Sequence, residues 1–185
     1  MPIQIGQKPE SDFNNPLGML SDCHRRIEQF LNTLIRICEK LEGGFLTPPD
    51  ATALEKALQY FREGAPKHTA DEEDSLFPRL RSLGASRSAL RCMEGLEEDH
   101  EVAERAHKAI DTLGRCWLER GTLGDVELLE MRQALKRLAR LYARHIEIED
   151  QQLFPLAARV LPKEQLAKVG EEMAERRGIR TRQGR

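Results

Sequence analysis

Four of the five histidines in this 185-residue chain fall into a repeated pattern. His68-Thr-Ala-Asp-Glu72-Glu-Asp-Ser-Leu76-Phe77-Pro78 recurs as His145-Ile-Glu-Ile-Glu149-Asp-Gln-Gln-Leu153-Phe154-Pro155. Both read H-x3-E-[ED]-x2-L-F-P, and they lie 77 residues apart. A second pair accompanies them: Asp22-Cys23-His24 is offset by 76 residues from Glu98-Asp99-His100, with Glu28 and Glu104 each four residues further on. The chain thus reads as two copies of one helical hairpin, each offering a lone histidine and then H-x3-E.

The spacing has a chemical reading. Residues i and i+4 share a helix face, so His68 projects with Glu72, and His145 with Glu149. Two hairpins related by a two-fold would bring four histidines and two carboxylates to one level of a bundle. Imidazole suits iron, and a carboxylate can bridge two metals through its two oxygens. One metal takes His24 and His68, the other His100 and His145, and Glu72 and Glu149 bridge them. With a bridging oxo or hydroxo group each metal is about five-coordinate, which leaves room for a small ligand. Iron is the expected metal, although the ligand types also admit zinc or manganese. An isolated H-x3-E pair is ordinarily a surface i,i+4 contact. Here a metal-free ring of six inward polar groups would cost several kcal/mol, and the L-F-P flank recurs in register.

Such a set needs rigid elements to hold it. Pro and Gly clusters divide the chain into segments with apolar spacing near 3.6: residues 16–42, 51–81, 86–119 and 126–161, with a short fifth helix at 163–176. The first carries the stripe Leu17, Leu20, Ile27, Leu31, Leu34, Ile35, Cys38 and Leu41. Asp50 is the expected N-cap of the second segment, and a kink or short break is expected near Pro66. Strand signals are missing. The expected fold is all-α: an up-down-up-down four-helix bundle over residues 16–161. A flexible extension (1–15) precedes it, and a C-terminal helix with a basic tail (162–185) follows.

Composition agrees. Hydrophobic residues make up 39%, charged residues 32% and aromatics 5%, a bias toward helix. Net charge is −2 with both signs interspersed, so no nucleic-acid partner is expected, and the basic stretch from Arg177 to Arg185 reads as a solvated terminus. No apolar run approaches the ~20 residues of a membrane helix, and residues 1–15 lack the apolar core of a signal peptide. Cys23, Cys38, Cys92 and Cys116 form no CxxC pair and read as reduced, mostly buried thiols of a cytoplasmic protein.

Residues 17–161, through the paired H-x3-E-x3-L-F-P motifs, closely resemble the hemerythrin-like, or HHE cation-binding, domain family. That resemblance implies a four-helix bundle around a non-haem di-iron centre bridged by oxygen and two carboxylates. Members bind oxygen, sense oxygen or iron, respond to nitric oxide, or help to repair iron centres. One departure stands out: oxygen carriers have H-x3-H on the third helix, where this chain has His100-x3-Glu104. Four His and two Glu are similar to the bacterial iron-centre repair proteins, although their usual N-terminal domain with a cysteine pair is absent from this sequence. The expected function is di-iron binding of oxygen, nitric oxide or peroxide in sensing or stress response. The alternative is a di-iron oxidoreductase or an iron donor in repair. A redox partner and a monomer or homodimer fit either. Tyr142, His107 and Trp117 read chiefly as packing, Cys23 as too far round its helix to share His24's metal, and the two L-F-P triplets as apolar shields beyond the site.

Overall fold

The computed structural model describes residues 11–83 and 86–179. Its first rod is α1 (Pro16–Leu41), capped by Asn15, whose side chain accepts from the Gly18 amide. The second begins with α2 (Pro48–Glu63). Its N-cap is Thr47 rather than Asp50: the Thr47 hydroxyl accepts from the Asp50 amide, and Pro48 and Pro49 occupy the first turn, where a missing N–H costs nothing. Gly64 interrupts the rod for one residue before α3 (Ala65–Ala70), two residues ahead of Pro66, so the expected break is present. A π-helical turn (Asp71–Leu76) then leads into α4 (Phe77–Ser82).

The third rod is a single helix, α5 (Arg87–Arg120), capped by Ser86 and ended by Gly121 at φ 79°, a left-handed conformation that favours glycine. The fourth is α6 (Asp125–Ile148), a second π-helical turn (Glu149–Leu153) and α7 (Phe154–Val160). The final helix is α8 (Lys163–Arg176). Helix α1 packs against α2 and α6, and α5 packs against the same two. Each rod therefore lies beside its chain neighbours and the last lies beside the first, an up-down-up-down four-helix bundle with α8 against α1 and the first π turn. No strand occurs among the described residues.

Each π turn ends at the leucine of an L-F-P triplet, two residues before its proline. Pro78 and Pro155 cannot donate to a carbonyl four residues back, and their rings crowd it. The preceding turn widens, so the Phe77 amide donates to the Glu72 carbonyl and the Phe154 amide to the Glu149 carbonyl, each five residues back. The two π turns thus occupy equivalent places in the two copies of the repeat.

The core comes in two apolar clusters. One fills the half of the bundle holding Ile27, Leu34, Leu54, Trp117, Met131 and Leu138. The other holds Met19, Leu20, Leu76, Phe77, Leu153 and Phe154 with Val169 and Met173 of α8. Of the stripe expected on α1, Leu20, Ile27, Leu31, Leu34 and Cys38 are buried, while Leu17, Ile35 and Leu41 are half-buried. The apolar caps expected of the L-F-P triplets are present. Between the two clusters, each rod contributes polar side chains to a single buried layer.

Both ends of the chain are tied to this body where they are described. The Ser11 amide donates to Asp22 Oδ2 at 2.8 Å, and Phe13 packs on the second cluster. A Cβ at Gly170 would come within 1.9 Å of the Phe13 carbonyl, so only glycine lets this segment cross α8. Residues 1–10 of the expected extension, and Arg180 to Arg185 of the basic tail, lie outside the described residues.

Candidate metal centre

The buried layer consists of the six residues singled out by the repeat. His24 comes from α1, His68 from α3, Glu72 from the first π turn, His100 from α5, His145 from α6 and Glu149 from the second π turn. All six are buried, and both glutamates are wholly inaccessible. Their donor atoms form two groups, His24/His68/Glu72/Glu149 and Glu72/His100/His145/Glu149, each with one atom per residue and all within 4.8 Å of one another. The two groups share both carboxylates, which is the division expected from the two hairpins.

Distances follow the same symmetry. Glu72 Oε1 lies 3.5 Å from His68 Nε2 and 3.9 Å from His24 Nε2, while its Oε2 lies 3.3 Å from His100 Nε2. One oxygen thus faces each half. Glu149 Oε2 lies 3.1 Å from His24 Nε2 and 3.2 Å from His145 Nε2, so it too faces both. Two donors bound to one ion at about 2.0–2.2 Å are themselves about 3 Å or a little more apart. The spacing suits ligands around a shared ion.

Hydrogen bonding provides the test of fit. Nine buried side-chain nitrogen and oxygen atoms have no hydrogen-bond partner among the described residues, and all nine belong to these six residues. They include every carboxylate oxygen of Glu72 and Glu149 and the Nε2 atoms of His24, His100 and His145. Leaving such atoms buried and unpaired costs about 1–3 kcal/mol each, more for charged groups. A scaffold that concentrates this cost in one layer, and nowhere else among its described residues, fits a cation at that layer.

The ring's electrostatics show the same demand. Burial opposes a charge on His24, but the Asp150 and Glu149 carboxylates prevail and carry it up to about 10. His100 behaves alike, with burial overcome by Glu72 and Glu73, and also stands at about 10. Burial and the neighbouring Glu149 push Glu72 up to about 7, whereas Glu149, despite its burial, is held low by His145 and His24. Burial drives His68 down, assisted by the charge on His24. A metal ion at this layer would compete with the protons that these carboxylates favour on His24 and His100.

Acidic side chains orient the histidines from outside. His24 Nδ1 is 3.1 Å from Asp150 Oδ1, which also accepts from Ser21 Oγ at 2.7 Å. His100 Nδ1 is 2.7 Å from Glu73 Oε1. Glu73 and Asp150 are the acids that directly follow the two cluster glutamates, so each hairpin supplies the support for the other hairpin's lone histidine. Asp99, gripped by Arg144 Nη2 at 2.8 and 2.9 Å, lies 3.5 Å from His145 Nδ1. The contacts of Asp150 and Glu73 with Nδ1 are of the kind that sets a ring's tautomer and direction. The [ED] position of the repeat was the available signal for Glu73 and Asp150.

Another support comes from α8. Asp71, next to Glu72, is wholly buried and accepts from Arg176 Nη1 at 2.9 Å and from Arg177 Nη2 at 2.6 Å. Arg177 is therefore part of the packed body and not a solvated tail residue, because a buried carboxylate needs its charge.

The remaining residues sort clearly. Glu28 is exposed, and Glu104 is exposed with its carboxylate 2.6 Å from Lys108 Nζ; neither joins the cluster. Tyr142 packs its ring edge-on to His145 at 6.3 Å, and its hydroxyl is 3.1 Å from His107 Nε2. Burial brings His107 down to about 4. Phe154 stacks on His24 at 5.4 Å, and Trp117 is buried with its indole N–H on the Gly44 carbonyl. Burial raises the Cys23 thiol, whose sulfur contacts Arg26 and stands outside both ligand groups. Cys23 and Cys38 are buried, Cys92 and Cys116 half-buried, and all four are free thiols.

A cavity of about 240 Å³ adjoins the layer on the His100 side, lined by Thr69, Glu73, His100, Glu104, His107 and Tyr142 among others. Glu104 places its mouth at the surface. No helix among the described residues is long and apolar enough to cross a membrane.

Two comparisons bear on this arrangement. The chain is 28% identical over 169 residues to an uncharacterized protein of Haemophilus influenzae, a match spanning 91% of this chain and 93% of that one. Residues 15–157, which contain the whole six-residue layer, match the hemerythrin HHE cation binding domain. With its helical bundle and a buried His/Glu layer able to hold a metal, the chain belongs to the hemerythrin HHE cation-binding domain family.

Proposed function

We propose that the six residues hold two non-haem iron ions, His24 and His68 on one, His100 and His145 on the other. Glu72 and Glu149 bridge them together with an oxo or hydroxo group. The observation that carries this reading is the pair of four-residue donor groups sharing both carboxylates, whose buried oxygens have no other partner. A centre of this kind supplies open coordination positions and one-electron redox steps to a small ligand: oxygen, nitric oxide or peroxide. The protein's role is then to sense or respond to such a ligand in a cytoplasmic setting.

The chain's own residues suit a small ligand and no larger one. The cavity beside His100 is small, and the L-F-P triplets close the opposite end with Leu76, Phe77, Leu153 and Phe154. Glu73 and Asp150 keep the Nδ1 atoms of His100 and His24 engaged, so their Nε2 atoms face the layer. Tyr142 Oη and His107 Nε2 form a hydrogen-bonded pair in the cavity wall, with the Tyr142 ring packed edge-on to His145. The exposed Glu104, where oxygen carriers have histidine, leaves the His100 half with no additional nitrogen. That favours reaction or sensing over reversible oxygen carriage.

The second reading, an oxidoreductase or an iron donor in repair of iron centres, draws on the same symmetric ligand set. Anaerobic reconstitution distinguishes the claims. Wild-type protein should take up two irons per chain, and His145→Ala or Glu149→Ala should lose at least one along with the absorption of the bridged pair. Uptake well below two irons by wild type would refute the centre. Stoichiometric reaction with peroxide or nitric oxide supports sensing, whereas sustained turnover supports the enzyme.

A further inference from the structure

We propose that the groove between α1, α2 and α3 is a binding site for a phosphate-bearing organic anion. Its lining includes Arg26, Phe30, Lys56, Tyr60, Lys67 and Arg177 around about 420 Å³, within the ~300–1,000 Å³ range of small-molecule sites. Four cations face this space against a single carboxylate, Glu63, which is engaged by Gln59 Nε2 at 3.2 Å. Such a bias is unusual in a chain whose 29 basic residues are outnumbered by 31 acidic ones.

Three of these four cations are also uncommitted. The Lys56 and Lys67 ammonium groups make no hydrogen bond or ion pair among the described residues. Arg26 reaches only the Asp22 carbonyl at 3.3 Å and Cys23 Sγ at 3.8 Å, and no carboxylate neutralises it. Three unpaired cations around one concavity create a local positive field, and a guanidinium fork matches phosphate oxygens. A stacked aromatic pair forms one wall of the site: Phe30 and Tyr60 stack at 4.6 Å, and the Tyr60 hydroxyl donates to the Cys23 carbonyl at 3.3 Å. Fixed aromatic surface beside clustered cations suits a ligand that joins a planar ring to phosphate, a nucleoside diphosphate being a simple case. Arg177 belongs both to this lining and to the buried pair with Asp71, the residue before Glu72, so the groove touches the support of the buried layer.

Calorimetric titration of the full chain at about 0.15 M salt, where exposed charges are screened beyond about 8 Å, tests the assignment with ADP and inorganic pyrophosphate as probes. Saturable one-to-one binding is expected. Lys56→Glu/Lys67→Glu should weaken it tenfold or more, and the milder Lys56→Gln/Lys67→Gln should weaken it measurably, with helix content and iron uptake unchanged. Tighter binding of ADP than of pyrophosphate supports a role for the aromatic wall, and equal binding supports recognition through phosphate alone. Absence of saturable binding by both probes, or binding unaltered in both double variants, overturns the proposal.

Discussion

At the scale of single residues, the layer depends on acids that never enter it. Glu73 and Asp150 each hold one lone histidine through Nδ1. Losing such a support typically costs 10–100-fold in metal affinity. Asp150→Asn and Glu73→Gln should therefore weaken iron binding about 10–100-fold while leaving two irons per chain at saturation, measured by competition with a chelator. His107 makes a second prediction. Its folded value of about 4 lies below the usual 6.5, so the unfolded chain binds the extra proton. Its contribution to stability is complete above pH 6.5 and is lost as pH falls toward 4. One unit is worth 1.36 kcal/mol, so the loss reaches about 3 kcal/mol. Denaturant titrations of wild type and His107→Gln across pH 4–7 should diverge by that order, wild type falling more steeply. The six inward residues could be read from the sequence because both copies keep them in register. The supports could not, because an acid after a ligand is an ordinary solvated residue until its neighbouring rod is known.

At the scale of elements, prolines and arginines do the positioning. Pro78 and Pro155 widen the turns that carry Glu72 and Glu149, a local effect already encoded in the repeat. Helix α8 acts at a distance, supplying Arg176 and Arg177 to the wholly buried Asp71. Stripping partners from a buried charge costs about 3–5 kcal/mol. Arg176→Ala/Arg177→Ala should therefore lower unfolding free energy by about that amount in denaturant melts. Amide exchange should accelerate first in the turn Asp71–Leu76. The existence and span of α8 were legible from Pro162 and the apolar spacing after it. Its docking was not, since Val169, Met173 and Ala174 could equally face a second subunit in a sequence read alone.

For the whole molecule, the polar layer divides what would otherwise be one core. The four rods meet there through groups that repel or go unpaired without a cation, so metal should act as a cross-brace. A ligand at 100 times its Kd adds about 2.7 kcal/mol to the folded state. Removing iron with a chelator should lower the melting temperature on the order of 5–10 °C for a chain of this size. Readdition of iron should restore it, and the His145→Ala variant should show a much smaller difference. Equal melting with and without iron would show that the rods close on the layer unaided.

The sequence by itself determined the bundle, the helical period, and the six side chains that share a face, since all of these follow from spacing along one chain. It also determined the two-fold division of those side chains, because the repeat names its own equivalents. Only the tertiary structure decided that Asp150 meets His24 and Glu73 meets His100, that Tyr142 pairs with His107, that Glu104 turns outward to Lys108, and that Arg177 pairs with the buried Asp71. Apart from the i,i+4 pair of Glu104 and Lys108 within α5, each of those pairings joins residues on different elements. Which groups meet there is set by helix rotation and packing distance, which no local pattern records.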